Sequence, residues 1–343
     1  MKMRPPLGFP TVLVTGGAGY IGAVLVPRLL RAGYRVRVVD LYVFGRQALA
    51  DVHTHPHLEE LEGDIRDVNL LGRALEGVDA VIHLACISND PSCELDPELT
   101  RDINYRAFEP LVRLSREHGA RRFIFASSSS VYGISDAPQV TEEHPLKPVS
   151  LYNQYKGKCE DILFRYQADD FTTVAIRPAT VCGTSPRQRL DLTVNILTAH
   201  AVERGEITVF GGKQQRPNLH IEDMVDLYEQ MLVLPAEAIA GHAFNAAYRN
   251  HSIAEVAGIV KSIVEREVPE RRNVVITTAA SNDPRSYHVC TTKIRERLGF
   301  VPRRRIEDAV GDLIGAFRSG RLPDALTAPC YYNVRQMKEV HLT

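Results

Sequence analysis

A glycine-rich turn near the beginning of the sequence restricts the possible folds more than any other feature. Gly16, Gly19 and Gly22 are spaced three residues apart and directly follow the short apolar run Thr11–Thr15. Glycine allows a tight turn and lets backbone amides come close to a phosphate, and the helix that follows adds the positive end of its dipole. In this context the spacing predicts a strand, a turn and a helix that bind the pyrophosphate of a dinucleotide.

The first half of the sequence alternates short β-branched runs with amphipathic stretches. Strands are predicted at Thr11–Thr15, Arg35–Asp40, Leu58–Gly63, Ala80–Leu84, Arg122–Ala126 and Thr172–Arg177. Helices are predicted between them, including Ile21–Arg31, Leu99–His118 and Leu151–Tyr166. This alternation is typical of an α/β fold with a doubly wound (Rossmann) parallel sheet, because each helix carries the chain back across the sheet.

The pattern changes after Arg177, where the loops lengthen and arginine, glycine and proline cluster. We predict a smaller, mixed substrate lobe formed by residues from about 178–216 and 248–330, while residues 1–177 and about 217–247 form the dinucleotide-binding domain. Helices are predicted in this half at Leu190–Arg204, Glu222–Leu232, Ser252–Glu265, Thr292–Leu298 and Ile306–Arg318.

Acidic residues follow the second and third predicted strands. Asp40 ends the second strand, about 20 residues after the glycine turn, where a carboxylate accepts hydrogen bonds from both adenosine ribose hydroxyls and repels a 2′-phosphate. This position favours NAD over NADP. Asp64 and Ile65 follow the third strand, and we expect them to contact the adenine. The competing interpretation is that this run caps the helix that begins near Asp67.

Composition limits the classes of function. The 343 residues include 41 basic and 42 acidic side chains, which gives a formal net charge of −1. This balance does not indicate a nucleic-acid partner or a membrane surface, and no apolar stretch approaches the roughly 20 residues that span a bilayer. The N-terminus has no secretory apolar region, so we expect a cytoplasmic protein. The six cysteines form no CxxC pair, and Pro56 interrupts the alternating His53, His55 and His57, so no metal site is expected.

Two separate segments carry the residues that chemistry requires. Four serines, Ser127–Ser130, follow the fifth predicted strand, and Tyr152 and Lys156 are four residues apart on a predicted helix and therefore share one face. A lysine ammonium beside a phenol, with a nicotinamide cation close by, lowers the pKa of the phenol. Tyr152 can then take a proton from a substrate alcohol while a serine hydroxyl holds the reacting oxygen. Tyr155 is not preferred as the base, because adjacent side chains on a helix diverge.

Together these features resemble the extended short-chain dehydrogenase/reductase family, in particular its NAD-dependent epimerase/dehydratase group, which acts on nucleotide sugars. The resemblance extends from Thr15 to about Phe317. It rests on the glycine turn, His83-Leu84-Ala85, the serine-rich segment that ends in Val131-Tyr132-Gly133, Tyr152 with Lys156, and Arg177-Pro178. It implies NAD as the cofactor. The cofactor-binding residues expected are Gly16, Gly19, Tyr20, Ile21, Gly22, Asp40, Asp64, Ile65, Leu84, Ala85 and Lys156.

The resemblance also implies roles for the serines. The family's reactive serine or threonine falls on Ser128, which joins Tyr152 and Lys156 as an expected catalytic residue. In the 4,6-dehydratases of the family, the next two positions are an aspartate and a glutamate that eliminate water, whereas here they are Ser129 and Ser130. Hydroxyl groups cannot replace a carboxylic acid and its base, so dehydration is disfavoured.

Further family positions point to a nucleoside diphosphate sugar. Asn195 resembles a residue near the nucleotide, and Arg216 and Arg285 resemble arginines that meet the diphosphate, since a guanidinium matches phosphate oxygens two at a time. Three departures, Thr180, Cys182 and Cys86, leave the identity of the sugar open. The substrate-binding residues expected are Ser88, Asn89, Ser129, Thr180, Arg187, Asn195, Arg216 and Arg285.

The function that the resemblance implies is epimerisation of a nucleoside-diphosphate hexose, uronate or heptose, at C4 in the leading interpretation. The alternatives within the family are an NDP-sugar dehydrogenase or 4-keto reductase and a uronate decarboxylase, for which Arg187 or Arg189 would supply a carboxylate pocket. A non-catalytic NAD-binding protein is a further alternative, although such proteins typically lack the tyrosine or the lysine. The family also implies a homodimer in which Leu99–His118 and Leu151–Tyr166 form a four-helix bundle with the partner.

Overall fold

The computed structural model describes residues 8–135, 137–280, 286 and 288–342. The strands are β1 (Thr11–Thr15), β2 (Arg35–Asp40), β3 (Leu58–Glu62), β4 (Ala80–His83), β5 (Arg122–Ala126), β6 (Thr172–Pro178), β7 (Thr180–Cys182), β8 (Glu206–Phe210), β9 (Gln215–His220), β10 (His242–Ala246), β11 (Arg249–Ser252) and β12 (Val275–Ala279). The α-helices are α1 (Gly22–Arg31), α2 (Val68–Leu75), α3 (Asp90–Cys93), α4 (Pro97–Arg101), α5 (Phe108–Glu117), α6 (Leu151–Arg165), α7 (Thr193–Arg204), α8 (Ile221–Val233), α9 (Ala236–Ile239), α10 (Ile253–Glu267), α11 (Thr292–Leu298), α12 (Ile306–Arg318) and α13 (Asn333–Val340).

Seven strands form one parallel sheet in the order β10-β6-β5-β4-β1-β2-β3. Every residue of β4 and β5 is buried, as expected for strands whose two faces are both covered by helices. The direction in which strands are added reverses between β1 and β4. At such a point a crevice opens beyond the carboxyl ends of the strands, and α/β proteins bind their ligands there. The predicted doubly wound parallel sheet is confirmed.

The second half of the chain adds two small sheets and a further hydrophobic core. One sheet has the order β11-β9-β7 and the other pairs β12 with β8. Their core is built by apolar residues of α7, α10 and α12, among them Val194, Val260 and Val310. The chain also returns to the main sheet, where β10 pairs in parallel with β6. The division into a cofactor domain and a substrate lobe stays a prediction.

One predicted helix, Leu99–His118, is wrong as a single element. It consists of α4, a π-helical turn at Asp102–Arg106, and α5. The extra residue of a π-turn redirects a side chain. Here it directs Asn104 inward, where its side chain accepts a hydrogen bond from the backbone N–H of Ile87 and donates one to the carbonyl of Ile87, both at 2.8 Å. The interruption therefore fixes the loop that follows β4.

Candidate active site

A cavity of about 440 Å³ lies beyond the carboxyl ends of β1, β2, β4 and β5. Its size is within the range usual for small-molecule sites, and its position is the one expected for a doubly wound sheet. It brings together most of the residues predicted from the sequence. Those that line it are Gly16, Gly19, Tyr20, Ile21, Gly22, Asp40, Asp64, Ile65, Leu84, Ala85, Ser88, Asn89, Ser128, Ser129, Tyr152, Lys156, Thr180, Arg187 and Arg216.

The glycine turn between β1 and α1 leaves room for a ligand because side chains are absent from it. Gly16 has a φ of +74°, and a Cβ atom there would lie 2.6 Å from the backbone nitrogen of Ala85. A Cβ atom on Gly22 would lie 2.5 Å from the carbonyl oxygens of Gly16 and Gly17. The turn and the first residue of α1 thus present bare backbone to the cavity. This arrangement fits the pyrophosphate of a dinucleotide.

Asp40, the last residue of β2, is tied to this turn. Its Oδ2 accepts a hydrogen bond from the N–H of Ala18 at 2.9 Å, and its Oδ1 accepts one from the N–H of Tyr42 at 2.8 Å. Burial raises the pKa of Asp40 above its usual value, while these two backbone donors act in the opposite direction. The carboxylate is therefore held rigidly at the cavity wall, and each of its oxygens keeps lone pairs for ribose hydroxyls.

Two acidic residues after β3 have different tasks. Asp67 caps α2, because its side chain accepts hydrogen bonds from the N–H groups of Asn69 and Leu70. Asp64 lines the cavity and pairs with Arg66, whose Nη2 lies 2.7 Å from Oδ2 of Asp64. The cap that competed with an adenine contact is therefore provided by Asp67, and the adenine contact of Asp64 stays a prediction.

Helix α6 brings the tyrosine and the lysine to the cavity. Ser150 caps the helix by accepting a hydrogen bond from the N–H of Asn153. Lys156 is only 5% exposed, and its Nζ donates to the carbonyl of Ala126 at 2.6 Å and lies 5.7 Å from the ring centre of Tyr152. Tyr155 points elsewhere, since its ring stacks on Tyr105 at 5.5 Å. The geometry agrees with Tyr152, rather than Tyr155, as the candidate base.

Burial raises the pKa of Tyr152 well above its usual value, and the thiols of Cys86 and Cys93 act in the same direction. The sequence predicts a pKa lowered by Lys156 together with a nicotinamide cation, and the protein without that cation gives the opposite direction. The protein surroundings of the phenol thus keep it protonated, and ionisation requires further positive charge next to the ring. Cys86, one of the three departures noted in the sequence, lines the cavity.

The serines after β5 form a hydrogen-bonded network at the cavity wall. The Oγ atoms of Ser128 and Ser130 are 2.6 Å apart, and Ser130 donates to the side-chain oxygen of Asn153 on α6. Ser129 is almost fully buried. The two segments that sequence analysis singled out, Ser127–Ser130 and the start of α6, are therefore in direct contact.

A buried ion pair supports this wall from behind. Glu160 of α6 and Arg177 of β6 are joined by an Nη2–Oε2 contact of 2.6 Å, and the hydroxyl of Ser127 donates to Glu160. Burial by itself lowers the pKa of Arg177, but its hydrogen bonds to Glu160 and the charge of that carboxylate raise it overall. Arg177 also donates to the hydroxyl of Tyr132 at 2.7 Å. These contacts lock β5, β6 and α6 together beneath the candidate catalytic residues.

Loops on the opposite side of the cavity are held by polar side chains. Arg189 pairs with Asp191, with an Nε–Oδ1 distance of 2.9 Å, and donates to the hydroxyl of Ser88 at 3.3 Å. Asn89 has a φ of +77°, accepts a hydrogen bond from the N–H of Ser92, and donates to Asp191. Arg216, on β9, also lines the cavity.

One predicted substrate residue within the described part of the chain, Asn195, does not line the cavity. Asn195 lies behind Tyr20: its side-chain amide donates to the Tyr20 hydroxyl at 3.1 Å and accepts from the N–H of Gly183 at 3.1 Å. Its contact with a substrate stays a prediction, and the geometry gives it the task of fixing Tyr20 and the loop after β7. Arg285 lies outside the described residues.

The C-terminal segment forms a wall of the cavity that no motif in the sequence predicts. Asn333 and Met337 of α13 line the cavity, as does Leu342 after it. The recognised motifs end before this segment, and its only signal is the four-residue spacing of Asn333 and Met337, which is too common to be informative.

Among the described residues, no group of three or more His, Cys, Asp or Glu side chains could hold a metal ion. His53 does have a carboxylate partner that its sequence neighbourhood did not reveal, since its Nδ1 lies 2.7 Å from Glu60. No helix in the described part of the chain is long and apolar enough to cross a membrane.

Comparison with known proteins identifies the family. The sequence model of the NAD dependent epimerase/dehydratase family matches residues 12–247, more than half of the chain, and the chain therefore belongs to this family. The UDP-glucose 4-epimerase of Lactobacillus helveticus is 28% identical over 318 residues, which cover 87% of this chain and 94% of that protein. The predicted family and its NAD cofactor are confirmed at this level.

Other relatives carry out different reactions. UDP-glucuronic acid decarboxylase 2 of Arabidopsis thaliana is also 28% identical, over 90% of this chain and 68% of that protein. The crystal structure of a dTDP-glucose 4,6-dehydratase from Streptomyces venezuelae with NAD bound superposes with a TM-score of 0.79 and 25% identity, over 91% of this chain and 98% of that chain. The chain is thus an enzyme-family member whose relatives epimerise, decarboxylate or dehydrate nucleotide sugars.

Proposed function

We propose that the protein is an NAD-dependent epimerase of a nucleoside-diphosphate sugar that inverts the configuration at C4. The observation that carries the proposal is the composition of the wall around the candidate base. Ser128, Tyr152 and Lys156 face one cavity, while the two residues after Ser128 are hydroxyls rather than carboxylic acids. That wall can remove and return a proton on a sugar hydroxyl, but it lacks the acid–base pair that elimination of water requires.

Each residue around the candidate base has a distinct role in the proposed reaction. Tyr152, when ionised, takes the proton of the sugar hydroxyl, and the hydroxyl of Ser128 holds the same oxygen. Lys156, fixed by the carbonyl of Ala126, brings its ammonium close to the phenol. NAD, when bound, supplies the hydride acceptor and donor and a cationic ring beside Tyr152. Removal of this proton together with the C4 hydride, which NAD would accept, leaves a 4-keto sugar. After this sugar turns over in the cavity, the hydride would return to its other face while Tyr152 returns the proton, so the configuration is inverted.

The competing reactions are less well supported by the cavity. A uronate decarboxylase needs a cation to hold the sugar carboxylate. The charge of Arg189 is already matched by Asp191, and Arg187 stacks on Phe44 in the loop that follows Asp40, the candidate ribose ligand. Dehydration needs a carboxylic acid near Ser128. Asp90 lines the cavity, and its charge raises the pKa of Tyr152. Its carboxylate already accepts a hydrogen bond from the hydroxyl of Ser150. The proposed substrate contacts are Ser88, Asn89, Ser129, Thr180, Arg189 and, for the diphosphate, Arg216.

The test is to incubate the purified protein with a panel of UDP-, dTDP- and GDP-sugars without added cofactor and to analyse the products by chromatography coupled to mass spectrometry. A product of unchanged mass and altered retention supports epimerisation and identifies the nucleotide. Loss of water or carbon dioxide, or conversion that depends on added NADH or NADPH, would overturn the proposal in favour of the matching relative.

We also propose a homodimer formed through the segment Leu99–His118 and helix α6, as the family resemblance implies. Tyr105 and Tyr155 stack beside Lys158, whose Nζ lies 5.6 Å from the ring centre of Tyr105. Light scattering on the purified protein should give a mass twice that of the chain, and a monomer at working concentration would contradict the proposal.

A further inference from the structure

Arg187 is buried with only part of its hydrogen-bonding capacity used. The side chain is 5% exposed and lines the cavity. Its Nη2 donates to Oδ1 of Asn333 at 2.5 Å, whereas Nε and Nη1 have no hydrogen-bond partner within the part of the chain that the structure describes. Its guanidinium carbon lies 3.5 Å from the centre of the Phe44 ring. A buried cation with two unpartnered donor nitrogens at a cavity wall is typical of a site for an anion or another strong acceptor.

The surroundings of Arg187 place it at the end of the cavity where the adenosine is expected. Phe44 follows β2, four residues after Asp40. Burial lowers the pKa of Arg187 to about 9 and Arg189 acts in the same direction, while the carboxylates of Asp191 and Asp40 raise it. Arg187 therefore lies within the electrostatic range of Asp40, the candidate ribose ligand.

The C-terminal segment closes the same end of the cavity. Met337 and Leu342 line it and pack against the apolar cluster that contains Val39 and Ile65, next to the expected adenine position. The side chain of Gln336 donates to the carbonyl of Val43 at 2.8 Å. The segment is thus fixed directly onto the loop that follows β2.

Asn333 connects this segment to the rest of the wall. Its Oδ1 accepts from Arg187, and its Nδ2 donates to the carbonyl of Ser88 at 3.1 Å and to the hydroxyl of Ser88 at 2.8 Å. Asn333 is itself buried. A single side chain therefore orients the Arg187 guanidinium and joins it to the loop after β4.

We propose that Arg187 and the C-terminal segment 329–342 are part of the cofactor site. Arg187 donates from Nε and Nη1 to oxygens of the adenosine half of NAD, and Met337 and Leu342 cover the apolar face of that half. Together they retain NAD as a resident group. This assignment moves Arg187 from the substrate, where the sequence placed it, to the cofactor. It rests on the NAD site of the proposed function and not on the reaction at C4.

The first test is the substitution Arg187→Gln, which keeps the shape of the side chain and removes its charge. Without tryptophan in the chain, the fluorescence of bound NADH can be followed against a low protein background. In the absence of any sugar, we expect NADH to bind about tenfold to a hundredfold more weakly, the effect of losing a charge-assisted hydrogen bond. The NAD that co-purifies with the protein should fall accordingly. Unchanged NADH binding together with a raised KM for the sugar nucleotide would overturn the proposal and return Arg187 to the substrate.

The second test does not depend on a buried residue. Met337→Ala removes the apolar side chain that α13 places against the cavity. Lys338→Ala changes the neighbouring exposed residue and serves as a matched control. We expect NADH to dissociate about threefold to thirtyfold faster from Met337→Ala, in line with the apolar area lost, and at the original rate from Lys338→Ala. Equal rates in the two variants would remove the C-terminal segment from the cofactor site. Circular dichroism checks that both remain folded, and because no sugar is present, the result is independent of the epimerase proposal.

Discussion

At the cofactor end of the cavity, defined by the glycine turn, Asp40 and Ile65, the wall is mainly backbone at the ends of adjacent strands. At the sugar end, defined by Ser88, Asn89, Arg189 and Arg216, the wall consists of polar side chains from loops and from β9. Backbone walls are fixed by the geometry of the sheet, whereas side-chain walls depend on a few hydrogen bonds and ion pairs. The first kind of wall suits a cofactor shared by a family, and the second allows relatives to act on different sugars.

The largest effect is expected between the two ends, at the candidate base. Tyr152→Phe removes the phenol, and kcat should fall by about a hundredfold to ten-thousandfold because proton transfer is lost, while NADH binding is retained. Tyr155→Phe is the matched control on the same helix and should leave kcat close to its original value. Steady-state kinetics with the sugar nucleotide that the substrate panel identifies measure both variants. A large loss in Tyr155→Phe would show that the base has been misassigned.

The next substitution disrupts the glycine turn at the cofactor end. In Gly22→Ala the new methyl group would meet two backbone carbonyls at 2.5 Å, so the turn has to shift. We expect the free energy of unfolding to fall by about 1–3 kcal/mol and bound NAD to be lost. Gly311→Ala in α12 adds a methyl group to open space and should stabilise the protein by about 0.5–1 kcal/mol. Urea unfolding and the NAD content are the measurements, and retention of NAD by Gly22→Ala would contradict the assigned turn.

A third substitution weakens the sugar end alone. Arg216→Gln removes the guanidinium assigned to the diphosphate, and we expect KM for the sugar nucleotide to rise by about tenfold to a hundredfold. NADH binding should be unchanged, in contrast to Arg187→Gln. Arg249→Gln, on the adjacent strand β11 and exposed, serves as the control. If Arg216→Gln instead released NAD, the proposed separation of the two ends would fail.

Per unit of pH, the smallest effect concerns stability below the cofactor end. His83 ends β4, and its Nδ1 lies 2.7 Å from the hydroxyl of Thr15. Burial, followed by the charge of Lys156, lowers the pKa of His83 to about 3. The unfolded chain binds this proton more readily than the folded protein, so stability is lost as the pH falls from about 6.5 towards 3, with a slope of up to about 1.4 kcal/mol per pH unit. His83→Gln should reduce that slope, and urea unfolding at several pH values measures it. An unchanged slope would mean that other groups dominate the acid sensitivity.

The contrast between walls fixed by backbone and walls fixed by side chains also explains which features the sequence predicted. The strands Thr11–Thr15, Arg35–Asp40 and Arg122–Ala126 have the predicted ends, because apolar runs bounded by turn residues report strand pairing locally. The helix predicted at Leu99–His118 is interrupted because Asn104 turns inward to bind Ile87, a contact that periodicity does not reveal.

The cavity wall was predictable only where a motif fixes the backbone. The glycine turn and the spacing of Tyr152 and Lys156 carry such information. The contribution of Met337 depends on where α13 lies in the folded chain, and no pattern in the sequence encodes that position. Likewise, no pattern in the sequence reveals that the side chain of Asn195 donates a hydrogen bond to the hydroxyl of Tyr20, because that contact also depends on the folded chain.

The buried pair of Glu160 and Arg177 has a consequence for the response of the protein to heat. The cost of removing water from ions falls as temperature rises, so this pair contributes more to stability on warming. The backbone amides of β5 and α6, which it helps to join, should then be among the last to exchange their hydrogens with solvent, and those of the loops at the sugar end among the first. Warming would therefore weaken substrate binding well before it displaces Tyr152 from the serines beside it.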